Sequence, residues 1–306
     1  MPTYKPDDPC GCNSGQRYGD CHGLIFGPPP LKGVAVGQAM YAEDWAVNAA
    51  HYQAQGLYKT LASELAAATD VHRVLDVGCG LGQGLEALAA AVGGPNRLII
   101  GVDENPNCLT AAAERLQLSA AAVASPRLKL KRLLKDRIGS TPSSTPLTVS
   151  GELVLIQSDL MLPDLPLKAW LDQIGPLDAV TLWFSGVHKG RVLTKIAHDI
   201  GATSDLDLRE ALEDHVVELA AKQLRPGGVL QIVQRGAGDM EGERQKWAAI
   251  VAGIAADHGF DVVSVTGTPY EEAPVGTGMT LNAKHFDSTG LQRFALSTVL
   301  RRKAVS

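Results

Sequence analysis

The sequence predicts an α/β fold, an open sheet with helices packed between its strands, and three stretches carry the prediction. The first is Val74-Leu75-Asp76-Val77-Gly78-Cys79-Gly80-Leu81-Gly82-Gln83-Gly84, an apolar run that enters a glycine cluster and passes into an alanine- and leucine-rich segment at residues 85–92. It reads as a buried strand, a tight turn and a helix. The second is the apolar run at residues 97–102, closed by Asp103, Glu104, Asn105 and Pro106. The third lies at the far end, where residues 260–266 and 293–300 read as two strands separated by a long glycine-bearing excursion.

The totals fit one large α/β domain with a small appendage. The chain has 306 residues, 45% of them hydrophobic, and a formal net charge of -5. That balance, with a pI near 5.9, argues against a protein that coats nucleic acid or anionic membrane through bulk charge. No apolar run approaches the ~18 residues that span a bilayer, and the N-terminus lacks the basic-then-apolar build of a signal peptide, so no membrane partner and a cytoplasmic location are expected. In a reducing compartment clustered cysteines point to metal before disulfides.

In chain order, residues 1–27 form the appendage. Cys10 and Cys12 are one residue apart, and after a glycine-bearing turn Cys21 adjoins His22. These four N/S donors are the set that tetrahedral structural Zn²⁺ prefers, and metal affinity then becomes folding free energy for a segment without its own core. Residues 28–37, with Pro28-Pro29-Pro30 and three glycines counted from residue 24 on, read as a stiff Pro/Gly linker and turn. Residues 38–69 turn helical, carrying Met40, Tyr41, Trp45, Tyr52, Tyr58, Leu61 and Leu65.

Beyond the glycine turn, a helix is expected from Pro106 toward Leu116. Residues 120–150 form an insertion, longer than an ordinary connection. Within it, basic residues from Arg127 to Arg137 interleave with leucines and suggest a solvated amphipathic surface helix, followed by a mobile Ser/Thr/Pro loop. An acidic partner or nucleic acid is the alternative use of that face. Strands are expected around residues 155–160, 177–184 and 224–233, and helices over residues 205–224 and 241–258. Cys79 and Cys108 are packing thiols apart from the metal cluster.

The glycines of the first turn free backbone N–H groups for a nucleoside-type cofactor, and Asp103, at the tip of the second strand, is placed to accept hydrogen bonds from ribose hydroxyls. Nicotinamide enzymes share such a turn, so context decides. Here Asp76 precedes the glycines, and the form V-L-D-x-G-x-G-x-G resembles the first motif of the class I S-adenosylmethionine-dependent methyltransferases. The later strands and the Arg225-Pro226-Gly227-Gly228 loop resemble that family in order. The resemblance implies a Rossmann-like, seven-stranded methyltransferase sheet over residues 38–306 with a terminal antiparallel hairpin, and residues 38–69 as a cap over the cofactor, with Tyr41, Trp45, His51 and Tyr52 lining its pocket. It implies S-adenosyl-L-methionine held by Asp76, Gly78, Cys79, Gly80, Gly82, Asp103, Glu104, Asn105, Asp159, Leu160, Trp183 and Tyr52. Asp159 is expected at the adenine amine. Trp183 or Phe184 is expected near the methyl group. The loop after the fourth strand then faces the methyl group, and His188 is its candidate base, since its side chain type titrates near neutrality. That loop lacks the [DNS]-P-P-[YFW] signature of exocyclic-amine methylation.

The first segment is likewise similar to the SEC-C motif, a small zinc module that docks proteins or nucleic acid; Pro9, Ser14, Gly15, Tyr18 and Gly23 match it, and Gly11 and Asn13 depart from it. The combined expectation is a methyltransferase whose acceptor is protein, RNA or a small molecule, with protein or ribonucleoprotein docking through the zinc module. A non-catalytic cofactor-binding adaptor and a nicotinamide-dependent oxidoreductase are the alternatives. The acceptor and the oligomeric state leave no mark in the sequence.

Overall fold

A computed structural model describes residues 4–10, 15–94, 96–134, 137–274 and 290–304. Short helix α1 (Gly23–Phe26) leads into α2 (Pro30–Ala54) and α3 (Leu57–Ala68), which break apart at the left-handed Gly56. Then follow β1 (Arg73–Val77), α4 (Gln83–Ala91), β2 (Leu98–Asp103), α5 (Pro106–Arg115), the two-residue β3 (Val123–Ala124), β4 (Leu128–Leu134) and β5 (Arg137–Pro142). The second half runs β6 (Leu153–Gln157), α6 (Leu165–Ile174), β7 (Leu177–Trp183), a 3-10 turn (Lys189–Leu193), α7 (Lys195–Asp199), α8 (Asp205–Gln223), β8 (Leu224–Ala237), α9 (Met240–Asp257), β9 (Phe260–Tyr270) and β10 (Arg293–Arg302).

The main sheet has the order β3-β6-β2-β1-β7-β8-β10-β9, parallel except for β10, which runs antiparallel to both β8 and β9. This is an open, Rossmann-like α/β sheet with a terminal antiparallel hairpin, the architecture expected from the sequence. The eighth strand is the short β3, which adds two residues to the edge of β6. Alternation along the strands sorts the core. Val74, Ile99, Leu155 and Ala179 face α2 to α5 with Trp45, Leu61, Leu85 and Leu109, while Leu75, Ile100, Ile156 and Val180 face α6, α8 and α9 with Leu167, Val216 and Val251. Burial on both faces explains why these strands read as unbroken apolar runs.

Two expectations are corrected. Residues 30–37, read as a linker, are the first two turns of α2: Pro30 takes the first helical position, where its missing N–H costs nothing, and Gly33 and Gly37 are kept for close packing rather than for a turn. The basic stretch of the insertion, read as a helix, is a hairpin, with Lys129 opposite Thr141 and Lys131 opposite Gly139. Leu128, Lys129, Leu130 and Lys131 alternate with period two, and that strand period prevails over a helical reading of the same residues. Among the described residues, no helix is long and apolar enough to cross a membrane.

Candidate active site and metal centre

The strand order reverses between β1 and β7, and in open α/β sheets the crevice beyond the carboxyl ends at such a point receives ligands. A cavity opens there. It is lined by the glycine turn (Val77, Gly78, Gly80), the β2 end (Asp103, Glu104, Asn105), the β6 end (Ser158, Asp159, Leu160, Met161), the β7 end (Phe184 to His188), Arg191, and Tyr41 and Trp45 of α2. Gly78, Gly80 and Gly82 all adopt positive φ. A Cβ on Gly78 would point into open space, so the missing side chain leaves the backbone bare as a cradle.

Asp103 braces this turn. Its two carboxylate oxygens accept from the Gly80 N–H at 2.9 Å and the Asn105 N–H at 2.8 Å. Burial lifts its carboxyl to about 6, against the pull of those two N–H groups. Asn105 caps α5 through Asn107 N–H and donates to the Gln38 carbonyl at 2.8 Å, which fastens α2 over the cavity. Asp76 lies beneath the turn, 3% exposed, accepting from Thr181 Oγ1 at 2.7 Å; burial pushes its carboxyl to about 7.

The end of β7 departs from regular strand geometry. Phe184 has φ +56, so the chain turns and both Trp183 and Phe184 join the cluster on the α2 face, where strict alternation would send them to opposite sides. Phe184 thereby lines the cavity, whereas Trp183 turns into the core and donates its indole N–H to Gln231 Oε1 at 3.1 Å. Three further expected contacts lie elsewhere. Cys79 is buried behind the turn, its N–H bonded to the Val102 carbonyl, and Gly82 packs on Ala112 and Leu116 of α5. Tyr52, two turns beyond Trp45 on the same helix face, is wholly buried behind Phe184 and donates to Glu272 Oε2 at 2.7 Å. The Cys79 and Tyr52 side chains are packed into the core beneath the cavity.

The side chain that sequence reading passed over is Arg191. It is 5% exposed and bridges Glu104, in very close contact, and Asp159, at 2.8 and 2.9 Å. Burial opposes ionisation of Glu104, but the Arg191 guanidinium and His188 hold its carboxyl down at about 2. For Asp159 burial prevails and lifts the carboxyl despite the same guanidinium. The two acids stand 87 and 32 residues from Arg191 in sequence, a spacing with no local signature. His188, 3% exposed, lies in the cavity with Nε2 at 3.4 Å from Glu104 Oε1. With Arg191 spanning the two acids the cavity volume is about 80 Å³, well below the ~300–1,000 Å³ of small-molecule sites. A nucleoside-sized ligand therefore needs lining side chains to move, and the guanidinium stands between the two strand ends that would flank it.

A second cluster sits at the N-terminus. Cys10 Sγ lies 3.0 Å and Cys21 Sγ 3.4 Å from His22 Nδ1, and both cysteines are buried. Tetrahedral Zn²⁺ with its usual bond lengths separates S and N ligands by about 3.6 Å, so the three donors already converge as such a centre needs. Cys12, the fourth expected donor, lies outside the described residues. The Cys10 N–H bonds the Gln16 carbonyl at 2.9 Å, and a Cβ on Gly23 would stand 2.7 Å from the Tyr18 carbonyl. Cys79 and Cys108 are buried in the sheet domain, away from this group.

No protein-family model matches the chain, and no curated protein matches it in sequence. Among solved structures it is similar to the N-methyltransferase NodS from Bradyrhizobium japonicum WM9 in complex with S-adenosyl-L-homocysteine, at 11% identity and a TM-score of 0.47, over 90% of this chain and 100% of that one. It is similar also to a putative RNA methyltransferase, PH1948, from Pyrococcus horikoshii (12%, TM-score 0.44, 82% and 84% of the two chains). A third is the magnesium protoporphyrin IX methyltransferase ChlM from Synechocystis PCC 6803 with bound S-adenosylmethionine (14%, TM-score 0.39, 82% and 80%).

Proposed function

We propose that the chain transfers a methyl group from S-adenosyl-L-methionine to an acceptor. The observation that carries this reading is the left-handed glycine turn braced by Asp103 at the point where the strand order reverses, with its bare backbone facing the cavity. Asp103 would take the ribose hydroxyls on its remaining lone pairs, Gly78 and Gly80 would lie along the methionine end, and Leu160 with Asp159 would border the adenine. Entry of the adenine requires Arg191 to loosen its hold on Asp159. When bound, the sulfonium supplies an already activated methyl group, so the protein's task is to align the acceptor and exclude water. Tyr41, Trp45 and Phe184 form an apolar wall suited to that task. His188 takes the acceptor's proton where the acceptor arrives protonated, with Glu104 beside it to hold the resulting imidazolium.

The same reading gives the N-terminal segment a structural Zn²⁺ on Cys10, Cys12, Cys21 and His22. The convergence of three of these donors supports it. Docking of a protein or ribonucleoprotein partner through that segment is a proposal that rests on the SEC-C resemblance alone.

Thermal melting with each cofactor separates the readings. S-adenosyl-L-homocysteine at a hundred times its Kd should stabilise the fold by about 2.7 kcal/mol, and NAD should leave the melting temperature unchanged. Stabilisation by the dinucleotide alone overturns the proposal. Radiolabelled donor incubated with fractionated protein, RNA and small-molecule pools then identifies the acceptor, and tight cofactor binding without transfer to any pool identifies an adaptor.

A further inference from the structure

The 3-10 turn Lys189–Leu193 faces two ways. Such a turn has about three residues per repeat, so His188 at its N-cap and Arg191 share one face while Lys189 lies a third of a turn away. His188 and Arg191 enter the cavity. Lys189 reaches back instead, and its ammonium donates to Cys21 Sγ at 3.1 Å. The backbone is equally committed: a Cβ on Gly37 of α2 would stand 2.7 Å from Gly190 N, and a Cβ on Gly190 would stand 2.9 Å from the Gly33 carbonyl. Gly33 in turn packs against the Ile25 carbonyl of α1, the helix that follows Cys21 and His22 directly. The Cys/His cluster, α1, α2 and the turn bearing His188 and Arg191 thus form one contact chain without slack.

With Cys12 completing the donor set expected from the sequence, three thiolates and a neutral imidazole around a divalent ion would leave a net charge of -1, which one ammonium balances. Groups that hydrogen-bond a ligating sulfur from outside the coordination sphere orient the ligand and tune the site. We infer that the N-terminal metal centre is an internal brace of the candidate active site: through Cys21 it fixes Lys189 and so holds His188 and Arg191 in the cavity. Lys189 is a positioning residue. The inference rests on the zinc reading above and goes beyond it, because it gives the module a role inside its own chain.

The test compares the zinc-loaded full chain, the same chain stripped by a chelator, and Lys189→Met and Lys189→Arg with metal bound. Zinc content is read alongside amide hydrogen exchange and S-adenosyl-L-homocysteine affinity. Stripping and Lys189→Met should each remove exchange protection from residues 188–194 and leave β1, β2 and β7 protected. Lys189→Arg should retain most of that protection. Unchanged protection in the stripped chain, or in Lys189→Met, overturns the brace. Should stripping unfold the chain, the metal-bound Lys189→Met protein decides. A folded wild-type protein that takes up no zinc when the metal is supplied removes the metal reading and the brace together. Loss of protection in a protein that binds no cofactor leaves the brace standing and removes only the cofactor reading.

Discussion

Asp76, which is buried, and Glu104, whose side chain is a quarter exposed, shift their carboxyl pKa values in opposite directions, and each makes a separate prediction. Asp76 has its carboxyl raised to about 7 by burial, against an ordinary unfolded value of about 3.9, so between those values the folded chain holds a proton that the unfolded chain releases. Raising the pH through that window therefore costs the native state stability. Asp76→Asn keeps an acceptor for Thr181 Oγ1 and has no proton to lose. Its stability relative to wild type should rise from pH 4 to about pH 7, by at most about 1.4 kcal/mol per pH unit, and level off above; urea melts of both proteins across that range measure it. Glu104 is lowered to about 2 by Arg191 and His188 against burial, so its contribution is present above the unfolded value of about 4.3 and is lost as the pH falls toward 2. Arg191→Ala leaves Glu104 and the buried Asp159 without their cation. It should destabilise the protein by about 3–5 kcal/mol at pH 7 and by less at pH 4, as read by the same melts. Neither acid revealed its partner in the sequence, because Thr181 and Arg191 are 105 and 87 residues away.

At the scale of elements, the contact between α2 and the Lys189–Leu193 turn is set by the absence of side chains. Ala has the better helix propensity, yet Gly37→Ala would drive a Cβ to 2.7 Å from Gly190 N and 3.2 Å from His188 Nδ1. Overpacking of this kind costs about 1–3 kcal/mol, which outweighs the roughly 1 kcal/mol gained in propensity. The variant should melt lower than wild type and lose exchange protection in residues 188–194; a gain in melting temperature would show that the interface tolerates separation. These glycines also explain why residues 30–37 read as a linker, since glycine next to three prolines is the usual mark of a turn. The hairpin of β4 and β5 is the converse case. Its alternation was present in the leucines and lysines, but the high content of helix-compatible residues masked it, and Arg127, bonded to the buried Asp164 at 2.8 and 3.0 Å, anchors its base where no local pattern points.

For the whole molecule, the sheet divides one apolar core into two, and the β9–β10 hairpin contributes to both. Ala295 and Val299 belong to one side, Phe260 and Leu300 to the other. β8 pairs with β7 on one edge and with β10 over nine residues on the other. A chain ending at Gly259 should therefore expose the open edge of a long apolar strand and both core faces. Loss of a cooperative melt and binding of a hydrophobic dye are the expected results, and a sharp native-like transition would mean that the hairpin is dispensable.

The sequence by itself determined the strand-turn-helix of residues 74–92, the acid that closes β2, the terminal hairpin and the pairing of Cys10 with Cys21 and His22. Each is written in turn chemistry, side-chain period or ligand type within a short stretch of chain. Tertiary structure alone decided that Arg191 spans Glu104 and Asp159, that Phe184 rather than Trp183 meets the cavity, and that Lys189 reaches Cys21 across 168 residues. Propensity and periodicity act over a few residues, whereas these contacts depend on which strand ends the sheet order brings together, and that order emerges only when both faces of the sheet are buried at once.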